Sequence, residues 1–275
     1  MAEEVHTPFI PQGRDAETQN SVGNFISKHS VALLLPDEFG PGRVRPIASG
    51  SLVKFDDRRF ILTATHVWAA LRGSQVVYCS AIAGIPHAKG LQTASLTPYS
   101  LDDNVKEEPE PFCADLTLLE LHPTDYRLME TRLSFFQLER EGTGPIGDHV
   151  IVGCPGVLAR ADPTQINTLS CELRAVFTET VVDEAVHDGL DFHKSVPYPD
   201  SNSPIDKYWG FSGGGLWSVY YYPQRPGDGR YEVFLIGVNF FQTDGEIRSL
   251  GRKAIKKLIQ DVRGAASRQA PSQHK

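Results

Sequence analysis

The chain has 275 residues, 40% apolar and 22% charged, with a formal net charge of −7 and a pI near 5.7. These values describe ordinary folded protein, long enough to bury a large core as one all-β unit or as two small subdomains. The acidic balance argues against a protein that works on nucleic acid or an anionic membrane, and no apolar run is long enough to cross a bilayer.

In chain order, Met1-Ala2-Glu3-Glu4 is acidic and lacks an apolar h-region, so no secretory signal is expected. Residues 1–24 are polar and interrupted by Pro and Gly, which predicts a loose arm or edge segment. Ser30 to Leu35 reads as a first strand, stopped by Pro36, and the Pro/Gly-rich stretch 36–46 reads as a loop. Ala48 to Phe55 and Arg59 to Thr65 read as a hairpin turning at Asp56-Asp57. A short helical turn follows from His66 to Leu71, and Gln75 to Ser80 is a further strand.

The stretch 84–114 is turn-rich, and Lys106-Glu107-Glu108-Pro109-Glu110-Pro111 cannot be a central strand. Asp115 opens the apolar strand Leu116 to Leu121. Few elements are legible over 122–147, where Glu141 to Gly147 is the expected link between two subdomains. His149 to Gly153 and Thr168 to Phe177 read as strands, and 183–209 as a long polar segment. Strands at 214–222 and 231–241 are joined by the exposed turn Pro223 to Arg230. Ile255, Leu258, Ile259 and Val262 then share one helical face, with Gly264 placed to cap the helix and a disordered tail to Lys275. The basic residues at 252–257 fall on this amphipathic segment and read as its solvated face. Many short strands and one late helix predict an all-β barrel or sandwich.

Three stretches carry chemistry. In Gly210-Phe211-Ser212-Gly213-Gly214-Gly215 a serine sits among glycines, which permit tight turns and close approach of backbone N–H groups to a ligand. The N–H groups of Gly210 and Ser212 could then converge on a developing oxyanion. A serine hydroxyl needs a base to take its proton, and that base needs a carboxylate to hold one tautomer. Of the nine histidines, His66 alone has a telling context, where a strand ends and a helical turn begins. Asp115 is the carboxylate candidate, since an acid abutting a core strand is costly without a hydrogen-bonding partner. The bland alternatives are a satisfied strand-end histidine, a turn-capping aspartate and a plain Gly/Ser turn. No histidine pair has the spacing of a metal site, and no metal or cofactor is expected.

Together these stretches resemble the motifs of the chymotrypsin-like serine endopeptidases. Leu62-Thr63-Ala64-Thr65-His66 is similar to the family's histidine motif, Asp115-Leu116-Thr117-Leu118-Leu119 to its aspartate motif, and Gly210-Phe211-Ser212-Gly213-Gly214 to its serine motif. The order His, Asp, Ser is the family's order, with spacings of 49 and 97 residues. Supporting similarity lies in 48–53, 150–156 and 235–240, so the resemblance runs from about residue 30 to 263.

The resemblance implies two six-stranded antiparallel Greek-key β-barrels, a first at 25–140 with His66 and Asp115 and a second at 141–249 with Ser212, then a helix at 250–263 and a tail at 264–275. It implies an endopeptidase that cleaves a polypeptide substrate through an acyl-enzyme, with Ser212 as nucleophile, His66 as base and Asp115 as its orienter. It also places Asp206, six residues before Ser212, at the base of a primary specificity pocket, with Phe240 on the strand that lines the substrate cleft and Gln242 at the pocket wall, where it would shorten the pocket. Asp206 there would favour Arg or Lys before the scissile bond.

The chain departs from the family where Phe211 replaces the aspartate that pairs with a newly cut N-terminus, so activation by that ion pair is not expected. The four cysteines are scattered without a C-x-x-C, which predicts reduced thiols in a cytoplasmic protein. None directly follows His66 or flanks Ser212 as in secreted members, so the resemblance implies a disulfide-free, bacterial branch of the family. An alternative from another class is a binding or regulatory module on the same fold, its cleft covered by 183–209. Either reading leaves room for an activating or inhibiting protein partner. An α/β-hydrolase needs the order Ser, Asp, His and is excluded.

Overall fold

The computed structural model describes residues 16–36, 44–80, 89–104, 110–131, 133–142, 147–154, 160–161, 169–170, 174–183, 188–198, 210–222, 231–243 and 245–269. The first element is a helix, α1 (Ala16–Ser27), where the polar composition predicts a loose arm. Val22, Phe25 and Ile26 fall at i, i+3 and i+4, and the completely buried Val22 and Ile26 anchor the segment as a helix.

Strands β1 (Ser30–Pro36), β2 (Val44–Phe55) and β3 (Arg58–Thr63) form an antiparallel meander, with the β2–β3 hairpin turning at Asp56-Asp57. Asp56 has φ +48, a left-handed conformation that Asp tolerates better than most residues. Helix α2 (Thr65–Leu71) follows, then β4 (Val76–Ser80), β5 (Lys89–Gln92), β6 (Thr97–Ser100) and β7 (Thr117–Glu120). Helix α3 (Pro123–Met129) and strand β8 (Phe136–Gln137) lie in the stretch where the sequence shows few elements. Pro123 sits at the start of α3, where its missing N–H costs nothing, and the His122 ring accepts from Thr124 N. The sheet runs β5-β4-β1-β2-β3-β7-β6, with β8 beside β2 in parallel.

The remaining strands are β9 (Asp148–Gly153), β10 (Arg160–Ala161), β11 (Leu169–Ser170), β12 (Arg174–Asp183), β13 (Phe192–Pro197), β14 (Gly215–Tyr221), β15 (Tyr231–Thr243) and β16 (Glu246–Leu250). Six of them close into an antiparallel barrel, β12-β13-β16-β15-β14-β9, while among the described residues β10 and β11 pair only with each other. Among the described residues the N-terminal sheet is not closed in the same way. Its edge strands β5 and β6 are consecutive in the chain, yet a 3-10 turn at Thr93–Ser95 carries the chain between them without a ladder. Strand β13 falls inside the stretch read as a long polar segment, and β12 runs farther than the strand expected at 168–177, of which 168 and 171–173 lie outside the described residues.

Helix α4 (Arg252–Gln269) closes the described chain, with Ala254, Ile255, Leu258, Ile259 and Val262 buried. It passes through Gly264, the expected cap. That glycine is exposed, and one interior glycine costs a helix only about 1 kcal/mol. The partly buried Arg252 guanidinium donates to Leu138 O, Leu235 O and Arg140 O, tying the chain just after β8 to β15. Trp217 of β14 packs edge-on against Phe136 of β8 and near His29, so one apolar core continues from barrel to sheet.

Cys79 and Cys113 are free thiols, but Cys154 is disulfide-bonded, which corrects the expectation of reduced cysteines throughout. Scattered spacing shows which cysteines are distant along the chain, not which a fold brings within bonding reach. Cys171 lies outside the described residues.

Candidate active site

Strand register brings His66 and Asp115 together. Thr63 of β3 pairs with Thr117 of β7 in an antiparallel ladder, so the chain just beyond Thr63 meets the chain just before Thr117. Three residues on from Thr63 is His66, and two residues back from Thr117 is Asp115. Thr117 Oγ1 donates to Thr65 Oγ1 (2.9 Å), and Ser100 Oγ lies 2.8 Å from Thr117 Oγ1, so a buried hydroxyl chain braces the junction.

Helix α2 starts at Thr65 with no side-chain cap from Ala64, and the first-turn amides of a helix lack partners within it. Asp115 supplies one. Its Oδ1 accepts from His66 N (2.9 Å), and its Oδ2 lies 2.5 Å from His66 Nδ1. The carboxyl group is fully buried, so both oxygens are committed to the same histidine, fixing ring position and rotation. An ionised carboxylate only accepts hydrogen bonds, so against it Nδ1 is the donor, which in a neutral ring leaves Nε2 as the acceptor. His66 remains partly exposed, as a base facing a substrate must.

The serine turn approaches from the barrel side. Gly210 has φ +97 and Gly213 φ +80, where residues with a Cβ are strained. A Cβ on Gly213 would also collide with Thr63 Oγ1 and Ser49 O, and one on Gly214 with Val152 O. The turn therefore lies flat against β2 and β3, three residues from His66. Ser49 N donates to Ser212 O (2.9 Å), Gly214 N to Phe211 O (2.9 Å) and Gly213 N to Asn239 O (2.7 Å). Phe211 is buried among Ile151, Val176, Leu216 and Ile247, plugging the barrel beneath the turn. Ser212 itself is partly exposed, and its Oγ makes no hydrogen bond to His66 among the described residues.

The specificity residues fare differently. Asp206 lies outside the described residues. Phe240 is 1% exposed, its ring against Phe192 and Phe241, so its side chain belongs to the core and does not line a cleft. The β15–β16 ladder has an irregularity between Asn239 and Phe241, and such a bulge resets which side chain faces inward. Gln242 is partly exposed on β15, opposite Ile247.

The sequence reading missed the buried hydroxyls of Ser49, Thr63, Thr65 and Thr117. The available signal was a small polar residue within or directly after an apolar strand run, at Ser49, Thr63 and Thr117 on strands and at Thr65 where α2 begins. Burial, and then the negative charge of Asp115, push the Cys113 thiol up to about 11; burial, and then Asp125, push Cys79 up to about 12. Neither free thiol is a thiolate at neutral pH, so neither rivals Ser212 as a nucleophile. Among the described residues no three His, Cys, Asp or Glu side chains converge as a metal site, and no helix is long and apolar enough to cross a membrane. No protein-family model matches this sequence, and a search of curated proteins finds no match to it.

Proposed function

We propose that the chain is a chymotrypsin-like serine endopeptidase, its N-terminal sheet and C-terminal barrel corresponding to the two barrels of that fold. One observation carries the reading. A fully buried carboxylate spends both oxygens on His66, and the Ser212 turn is bonded to the strand beside that histidine.

In the reaction Ser212 Oγ attacks the scissile carbonyl carbon as its proton passes to His66 Nε2. Asp115 keeps the Nδ1 proton in place and stabilises the imidazolium without taking that proton. The negative charge moves to the carbonyl oxygen, where the N–H groups of Gly210 and Ser212 receive it. The imidazolium then gives its proton to the leaving amine, and the C–N bond breaks to leave an acyl-Ser212. Water, deprotonated by His66 Nε2, releases the acid and restores the hydroxyl. The substrate is a polypeptide; the Cys154 disulfide removes the ground for a cytoplasmic setting, since disulfides are rare in that compartment. A preference for Arg or Lys before the scissile bond rests on Asp206, and Asp206→Ser should remove it in peptides differing only at that residue.

A fluorophosphonate probe tests the core of the proposal. It should label wild-type protein at Ser212 and leave Ser212→Ala and His66→Ala unlabelled. The same two substitutions should abolish peptide hydrolysis, and the double variant should be little worse than either. The absence of an Oγ hydrogen bond to His66 favours one rival, a binding module on the same scaffold. Catalytic hydrogen bonds often tighten only once substrate is bound, and the protease reading expects this one to form then. A protein that binds peptides but never labels at Ser212 would establish the rival.

A further inference from the structure

Ser49 lies on β2, in the other sheet from the serine turn, and is 1% exposed. A buried hydroxyl on a core strand needs partners, and this one uses both its donor and an acceptor. Ser49 Oγ donates to Gly210 O (2.7 Å) and accepts from Cys154 N (2.8 Å). Its backbone is equally committed: Ser49 N donates to Ser212 O, and Ser49 O accepts from Thr63 Oγ1 (2.9 Å). One residue thus bonds to the carbonyls on either side of Phe211, to the end of β9 and to the strand that leads to His66.

These bonds bear on the turn's N–H groups. In a trans peptide the N–H points opposite the C=O. The Phe211 carbonyl is turned toward Gly214 N, which directs the Ser212 N–H the other way, and no carbonyl among the described residues accepts it. The Gly210 and Ser212 carbonyls flank that peptide, and Ser49 holds both. Fixing them restricts the rotations about Phe211 and Ser212 that would let the peptide flip. A flipped peptide would present a carbonyl where an anion must sit.

We infer that Ser49 is a positioning residue for the oxyanion hole, its side-chain hydroxyl locking the 210–212 turn so that the Ser212 N–H points at the developing charge. This rests on the protease reading above. The hydroxyl touches neither substrate nor reacting atoms and acts through the backbone of the turn. Preorganised donors are effective because they need no reorientation as charge develops, and loss of one donor outright costs roughly 10²–10³-fold in kcat. Loosening a donor should cost less, roughly 10- to 100-fold.

The test uses full-length protein carrying Ser49→Ala, Ser49→Thr or Ser49→Cys, at a temperature where circular dichroism shows each folded. Ser49→Ala should lower kcat 10- to 100-fold with KM within about threefold, and slow fluorophosphonate labelling of Ser212 by a similar factor. It should weaken a peptide aldehyde, which forms a tetrahedral adduct, in proportion to the loss in kcat/KM. Ser49→Thr, which keeps the hydroxyl, should recover most of the rate. A merely structural role would lower thermal stability and leave the kcat-to-KM split and aldehyde affinity unchanged. Should Ser49→Ala not fold, Ser49→Cys provides the reading, since a thiol is a weak donor and should give an intermediate rate. Wild-type labelling and aldehyde affinity in Ser49→Ala, or in Ser49→Cys where that variant stands in, would overturn the inference while leaving the protease reading intact. A wild-type protein that never labels at Ser212 would overturn both.

Discussion

The two halves of the candidate site are assembled in different ways. His66 lies in the first turn of α2, just beyond β3, and Asp115 just before β7, and the β3–β7 register brings them within bonding distance. The Ser212 turn is held from both sides, by Asn239 and Phe211 within the barrel and by Ser49 and Thr63 from the sheet. The first half is a product of local ladder geometry, whereas the second exists only where two sheets meet. Changes to the base pair should therefore alter chemistry with little effect on folding, while changes beneath the serine turn should weaken the junction itself.

The largest expected effect probes the self-contained half. Asp115→Asn should lower kcat roughly 10⁴-fold, because an amide cannot hold His66 in the tautomer that leaves Nε2 unprotonated. Peptide turnover and urea unfolding, measured together, check it; a stability loss as large as the catalytic one would erase the contrast between halves. Next comes Gly213→Ala, which combines a left-handed backbone with collisions against Thr63 Oγ1 and Ser49 O. It should cost about 2–4 kcal/mol of unfolding free energy. Gly189 has nearly the same φ, +78, but open space around it, so Gly189→Ala should cost only about 1 kcal/mol. Equal losses at the two glycines would show that the sheet does not press on the turn.

Acid should act on the barrel half. His149 of β9 has its pKa lowered from 6.5 to about 4, by burial first and then by the charge of His193. Below pH 6.5 the unfolded chain takes up a proton that the folded barrel refuses, so stability falls as pH drops from 6.5 to about 4 and then levels off. The full loss from this one group is at most about 3 kcal/mol. Urea midpoints across that window check it, and His149→Gln should flatten the slope. The smallest effect lies on the outer face of the N-terminal sheet, where Arg58 makes a two-pronged pair with Glu120 (2.5 and 2.6 Å) beside Tyr99. Arg58→Ala should cost about 0.5–1 kcal/mol, less at high salt, with turnover unchanged.

The residues that sequence spacing singled out show where such reading stops. The β2–β3 hairpin, the helical turn at His66, strands β9, β14 and β15 and the amphipathic C-terminal helix were all legible, because each repeats apolar residues at its own period or carries a turn signal. Strands β13 and β16 were not. Phe192-His193-Lys194-Ser195-Val196-Pro197 is half polar, and its buried Ser195 bonds Thr180 across a ladder that periodicity cannot anticipate. Phe240 was legible as a strand residue but not as a core one, since a bulge decides its face. Helix α1 was hidden by polar neighbours around Val22 and Ile26.

By itself the sequence determined that the chain is mostly β with a helical end, and it singled out His66, Asp115 and Ser212 as the candidates for chemistry. Those properties are local, written in residue type, period and order along the chain. Only the tertiary structure decided that Asp115 gives both oxygens to His66, that Ser49 grips the turn from the opposite sheet, and that one sheet closes into a barrel while the other stays open among the described residues. Each of these depends on hydrogen bonds between residues about 50 to more than 160 positions apart, whose partners are chosen by packing and register and leave no mark on the neighbouring sequence.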